Sequence, residues 1–239
     1  MKLDVLAVGS HPDDVELGCG GTVALLAARG LKVGIVHLTR GEAGTRGTVE
    51  ERRAEAAVAA AALQAQELVF LDCGDGSLRT GPEEEDALIQ VLRRYRPDLV
   101  LGPSPSDRHP DHGRAHRLLA AASYYAGLAS RGTSEPHRPA AVFSYMQHDT
   151  FEPSFIVDVT STWQTKLQAL EAYSSQLHQP GSSRDEPLTK VASPEFRAAV
   201  VGRAQHYGLA VGAAYGEPFW SRLPLAVADP WTLVPGGLR

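Results

Sequence analysis

The chain has 239 residues, 43% hydrophobic and 21% charged, the composition of a globular protein with enough apolar material for one sizeable core. Its net charge of −5, with no long basic run, argues against a nucleic acid or an anionic membrane surface as the main partner. No apolar stretch approaches the ~20 residues of a membrane helix, and Met1-Lys2-Leu3-Asp4 leads straight into a strand rather than a signal peptide.

Leu3 to Gly9 reads as a buried strand. The turn Ser10-His11-Pro12-Asp13-Asp14 follows, and Val15 to Arg29 reads as a helix stopped by Gly30. Gly18, Gly20 and Gly21 predict close packing of that helix on the sheet, or room near a site. They follow an acidic turn and so form no dinucleotide phosphate loop. Lys32 to Leu38 is a second strand, followed by the glycine-rich polar loop 39–47. Thr48 and Glu51 form a capping box for a helix to about Leu63. Arg52 and Arg53 in its first turns oppose the helix dipole. That predicts either an anionic partner or pairing with Glu50 or Glu55.

Glu67 to Leu71 is the third strand, and Asp72 to Gly76 is its loop. Pro82 followed by Glu83 to Asp86 is helix-start chemistry, not a metal site. A fourth strand ends at Gly102, ahead of Asp107-Arg108-His109-Pro110-Asp111-His112 and a helix reaching Ala129. Ala140 to Met146 and Phe155 to Val159 are two further strands, and a helix runs from Ser161 to Tyr173. Ser174 to Ser193 is long and polar, which predicts a mobile lid. Pro194 to about Tyr207 is the last helix, and the proline-rich residues from about 216 to 239 predict an irregular tail. The alternation predicts a single α/β domain over 1–239, a mostly parallel sheet flanked by helices.

Two clusters carry the chemistry. Both are His-Pro-Asp followed by Asp or His, and both lie between a strand and a helix. Both therefore fall at the carboxyl edge of the strands, where ligands of open α/β sheets bind. His11 and Asp14 are three apart and share one side of a turn, with Asp13 between them. A metal hydrolase needs that from one segment: two ligands and a carboxylate left to work on water. The competing reading is that the acids are helix caps and the histidines unrelated. Spacing leaves open whether His109 or His112 is the third ligand, and His116 competes weakly. Cys19 and Cys73 make neither a disulfide framework nor a zinc spacing, which makes the cytoplasm the expected location. A sugar- or nucleotide-binding protein with a vestigial site would not need Asp13. A two-metal phosphoesterase would need more carboxylates than the three ligands assembled here.

His11 to Gly21, the loop Arg40-Gly41-Glu42-Ala43-Gly44-Thr45-Arg46-Gly47-Thr48, and His109-Pro110-Asp111-His112 resemble the PIG-L/LmbE-like deacetylases. The resemblance is strong over the first two-thirds of the chain and weaker through residues 153–158 and 166–176. It implies a Rossmann-like fold and zinc-dependent N-deacetylation of an N-acetylglucosamine conjugate, with ferrous iron as the other candidate metal. It implies His11, Asp14 and His112 as metal ligands, Asp13 as general base, and His109, protonated and held by Asp111, as the oxyanion-side group. Arg52 falls at the sugar site, with Glu42, Asp75 and Arg46 as further substrate contacts. The family's loop tyrosine has no counterpart that can be placed. Loop 41–48 is most similar to the bacillithiol branch, which implies N-acetylglucosaminyl malate as substrate and a homo-oligomer, a hexamer in that branch.

Overall fold

The structure, a computed structural model, describes residues 1–178 and 187–234. Its centre is a seven-stranded sheet in the order β3-β2-β1-β4-β5-β7-β6. The strands are β1 (Val5–Gly9), β2 (Val33–His37), β3 (Glu67–Phe70), β4 (Leu99–Gly102), β5 (Ala141–Tyr145), β6 (Phe155–Asp158) and β7 (Gly216–Ser221). β3, β2, β1, β4 and β5 are parallel, and β7 runs antiparallel between β5 and β6. The helices are α1 (Asp14–Ala28), α2 (Val49–Ala62), α3 (Pro82–Tyr95), α4 (Pro110–Tyr125), α5 (Trp163–Glu171) and α6 (Pro194–Ala210).

Alternate strand residues feed two cores, as the period of a strand requires. Leu6, Val8, Val36 and Val100 pack with Leu88, Leu92 and Leu119 of α3 and α4. Val5, Ala7, Val33 and Ile35 pack with Val15, Val23, Ala56 and Ala59 of α1 and α2 on the opposite face. The expected capping box of α2 forms, with Thr48 and Glu51 bonded reciprocally. β1 pairs with β2 on one side and β4 on the other, so the chain order reverses between β1 and β4. The crevice beyond their carboxyl ends is where an open α/β sheet binds its ligand, and both His-Pro-Asp turns open there.

Two features differ from the sequence expectation. The irregular tail does not begin at 216, because Gly216–Ser221 is the strand β7. Pro218 masks it in the sequence, yet Pro218 sits where the β5 pairing ends, at Tyr145 with Phe219, so few ladder bonds are lost. Helix α1 is also broken, with Cys19 at φ −144°. Gly18 allows this contact, since a Cβ there would lie 2.1 Å from the Tyr145 ring. The Glu217 carboxylate then accepts the N–H groups of Gly21 (2.9 Å) and Thr22 (2.7 Å), capping the second half of α1 from β7. Of the expected lid, residues 179–186 lie outside the described residues. Its near end is pinned: Glu55 accepts the hydroxyls of Ser174 and Ser175 and the Ser175 N–H.

Candidate active site

The first turn is built around a backbone irregularity. Asp13 has φ 105°, a left-handed conformation that costs a non-glycine residue energy. Asp13 stands at the N-cap of α1 but makes no side-chain cap bond. The cap reading therefore fails for it, and its carboxylate lines the cavity instead. Asp14, one residue on, accepts the N–H of His11 at 2.8 Å and a bond from Gln147 Nε2.

The Asp14 carboxylate lies between two imidazoles. Its Oδ2 is 3.4 Å from His11 Nδ1, and its Oδ1 is 3.3 Å from His112 Nε2. Each ring has a carboxylate behind its other nitrogen. His112 Nδ1 is 3.1 Å from Asp107 Oδ1, while His11 Nε2 is 3.1 Å from Asp75 and 3.3 Å from Asp111. A carboxylate behind a ligating histidine fixes its tautomer and raises its basicity. The donor set of two nitrogens and a carboxylate suits a cation of the zinc type.

The electrostatics follow from this packing. Burial alone would lower His112, but Asp14 and Asp107 outweigh it and push it up to about 9. Burial likewise opposes, and Asp111, Asp14 and Asp75 overcome, so that His11 is raised well above its ordinary value. A cation bound to both rings would have to displace those protons, so its binding would weaken as pH falls. Burial raises Asp13 to about 7, held back mainly by the Arg52 guanidinium at 3.7 Å.

His109 caps α4, and its Nδ1 accepts the Asp111 N–H at 3.3 Å. A nitrogen that accepts carries no proton, so Nε2 holds the hydrogen of the neutral ring. Burial, with His11 and His112 adding to it, lowers the pKa of His109. The expectation of a protonated His109 held by the Asp111 side chain is thus corrected. Residues 109 and 111 diverge at a helix start, and the Asp111 carboxylate faces His11, bound by the N–H groups of Gly76 (2.8 Å) and Leu78 (3.1 Å) and by Arg114 (3.0 Å).

The expected substrate contacts fare unequally. Arg52 is buried and donates to Pro12 O (2.7 Å) and Gly41 O (3.3 Å), with Asp13 as its acid. Its anionic partner is inside the protein, and Glu50 and Glu55 play no part. Gly41 is required here, because a Cβ would lie 2.2 Å from the guanidinium at a φ of 71°. Arg46 does not reach the cavity; it donates to Ser175 O (2.7 Å) and Pro187 O (3.2 Å). Glu42 is exposed and accepts the N–H groups of Arg40 (2.9 Å) and Asp75 (3.0 Å). Asp75 does line the cavity, between Ala43 N and His11. His116 lies outside, against Pro103 O.

The cavity holds about 260 Å³ and is lined by His11, Asp13, Asp14, Arg52, His109, His112 and Asp75 together with Gln147, His148 and Gln176, so Arg52 reaches its wall while bonded to the protein. Sequence reasoning missed roles for two residues. Asp107 lay inside the second cluster, and its 3.0 Å bond from the His109 N–H is an Asx-type turn that a polar residue two before a helix cap could have flagged. Gln147 had no local signal beyond following β5.

Comparison with known proteins decides the family. The PIG-L model, described as GlcNAc-PI de-N-acetylase, matches residues 6–123. Diacetylchitobiose deacetylase of Thermococcus kodakarensis is 31% identical over 234 residues, spanning 89% of this chain and 80% of the relative. The chain belongs to the PIG-L family. It is a metal-dependent deacetylase of that family. The conserved protein TT1542 of Thermus thermophilus shares the PIG-L fold with a TM-score of 0.86 and 40% identity, over 96% of this chain and 98% of that one. GalB, the 4-carboxy-2-hydroxymuconate hydratase of Pseudomonas putida KT2440, has a TM-score of 0.78 and 26% identity, over 96% and 99%. None of these is named for a malate conjugate, so they support the PIG-L family and not the bacillithiol branch. No helix among the described residues is long and apolar enough to cross a membrane.

Proposed function

We propose that this chain hydrolyses the N-acetyl group of an N-acetylglucosamine conjugate, with one divalent cation, zinc by the chemistry of the donor set, held by His11, Asp14 and His112. The observation that carries the reading is the Asp14 carboxylate between two imidazoles, each backed by a further carboxylate, beside the unligated Asp13. A cation bound there would polarise the amide carbonyl and acidify water. Asp13, raised to about 7, is matched to taking a proton from the attacking water near neutral pH and passing it to the leaving amine nitrogen. Arg52 holds Asp13 in place and keeps its base form accessible. The Nε2–H of His109 donates to the carbonyl oxygen as negative charge develops on it, and the N-cap bond fixes the ring for that task. Asp75, on the cavity wall, would offer a lone pair to a sugar hydroxyl while bonded to Ala43 N and His11.

The conjugate proposed is N-acetylglucosaminyl malate, on the resemblance of loop 41–48; acetylated chitobiose, named for the Thermococcus relative, is the competing substrate. The test is acetate release from N-acetylglucosaminyl malate, N,N'-diacetylchitobiose and methyl N-acetylglucosaminide by the zinc-loaded protein. Acetate from at least one supports deacetylation, and the ranking identifies the aglycone. No acetate from any, with hydration of 4-carboxy-2-hydroxymuconate instead, would transfer the chain to the chemistry named for GalB.

A further inference from the structure

The family resemblance implied Arg52 and Arg46 as substrate contacts, and both are engaged by the protein itself. A different set of cations stands beside the site. An open cleft of about 580 Å³ adjoins the metal cavity, with Gln147 and His148 common to both walls. Arg108 approaches from the turn before α4, Arg203 and His206 from α6, and Lys190 from the segment leading into α6. Asp149 is the one carboxylate among the described residues lining the cleft.

The cations are not neutralised from behind. Arg203 is half-buried, and its guanidinium makes one long bond, 3.4 Å to Leu17 O. Glu217 and Asp107 pull on it from a distance. Glu217 is already paired with Lys166, and Asp107 is held by His112 and by the N–H groups of His148 and Asp149. Neither Arg108, Arg203 nor Lys190 has an acid within ion-pair distance among the described residues. A half-buried arginine without an acid is costly unless a ligand supplies one, and its planar fork suits a carboxylate or phosphate. Tyr207 and Phe196, also on α6, line the same cleft and add apolar surface of the kind that orients a small ligand.

We infer that this cleft is the aglycone subsite, that it takes an oxyanion group, carboxylate or phosphate, and that Arg203 with Arg108 and Lys190 recognises it. The inference rests on the deacetylase reading and adds to it the place and the residues that hold the charge of the aglycone. The sugar amide occupies the cavity at His11 and Asp13, and the aglycone extends past His148 toward α6. The enzyme then selects anionic over neutral N-acetylglucosaminides through residues of the α6 side.

The experiment compares kcat/KM for N-acetylglucosaminyl malate and N-acetylglucosamine 1-phosphate with that for methyl N-acetylglucosaminide. A preference for either anion is expected, and the two arms tell carboxylate from phosphate. Arg203→Gln should cut that preference roughly tenfold or more, the loss of one charge-assisted pair. Arg203→Lys should keep part of it, and Arg108→Gln and Lys190→Gln should each cut it less. Asp149→Asn should raise it, an opposite sign that general damage to the fold would not produce. Equal rates on anionic and neutral substrates, or a preference untouched in Arg203→Gln and Lys190→Gln, would overturn the subsite while leaving deacetylation intact. If no conjugate yields acetate, calorimetric titration with malate decides the cleft separately. Binding to wild type that weakens in Arg203→Gln supports it, and equal or absent binding overturns it.

Discussion

The two His-Pro-Asp turns share a tripeptide and end in different chemistry. In both, the fourth residue points to the centre, and Asp14 and His112 meet there at 3.3 Å. The third residue is what differs. Asp13 takes φ 105° and turns its carboxylate into the cavity with a raised pKa near 7, burial being the main cause. Asp111 sits inside the first turn of α4, with no positive φ, and its carboxylate is consumed by two backbone N–H groups, Arg114 and His11. Burial opposes ionisation there too, but those partners hold it well below the usual carboxylate range. One backbone dihedral thus separates a carboxylate that can accept a proton near neutral pH from one that only orients a histidine.

The sharpest way to break this comparison is to neutralise the same position in both turns. Asp13→Asn should retain its metal and lose kcat by about 10²–10⁴, the range for a general base. Metal stoichiometry and turnover measured on one preparation check it; near-normal kcat with metal bound would assign the base elsewhere. Asp111→Asn should show the reverse pattern. Metal affinity falls about 10–100-fold, as for loss of an outer-sphere carboxylate, and kcat at saturating metal falls less than in Asp13→Asn. Competition with a chelator of known affinity reads this. Equal kcat losses at saturating metal in the two variants would erase the distinction.

The parallel sheet, the helix order and both turns were legible because each depends on local pattern: apolar runs, a capping box, and ligand-type residues after strands. The meeting of residues 11, 14 and 112 was legible once both turns were placed at one sheet edge. What escaped was decided by contacts distant in sequence. Arg52 was rightly flagged as misfitting its helix dipole, but its partners, Pro12 and Asp13, lie some forty residues away. Arg46 and Glu42 belong to a polar loop whose internal hydrogen bonds no periodicity reports. β7 was hidden by Pro218, which is tolerable only because of where the β5 pairing stops. The φ of Asp13 has no sequence signature, since an aspartate there caps helices just as often.

A smaller effect tests what Arg52 does for the first turn. Its guanidinium lowers Asp13, so Arg52→Gln should let the pKa of Asp13 rise. The acid limb of the kcat/KM profile, set by Asp13 losing its proton, should then move to higher pH by on the order of one unit. Activity would fall most below neutral pH and recover on the alkaline side. The second turn has no such cation beside a free base, so Arg114→Gln should leave the limb in place. A rise in KM with an unmoved limb would instead restore Arg52 to the role of substrate contact suggested by the sequence.

The smallest expected effect lies two residues past the residue that faces the centre in each turn, where Glu16 follows Asp14 and Arg114 follows His112. Glu16 is fully buried, bonded to the Tyr173 hydroxyl at 3.1 Å, with its Oε2 unpartnered. Burial raises its pKa to about 8. The folded protein therefore keeps this proton where the unfolded chain, near its ordinary 4.5, has lost it. The folded state binds more protons across that interval, so stability falls as pH rises from about 4.5 toward 8. Glutamine cannot ionise and can still accept from Tyr173. In chelator-treated protein, the Tm of Glu16→Gln should match wild type at pH 5 and exceed it increasingly up to pH 8, reaching roughly 5 °C or more. Arg114→Gln, at the solvent-facing counterpart, should give a difference from wild type that stays flat over the same range. A flat difference for Glu16→Gln as well would mean that Glu16 is ionised in the fold, and that the two turns are not distinguished by the burial of their helix starts.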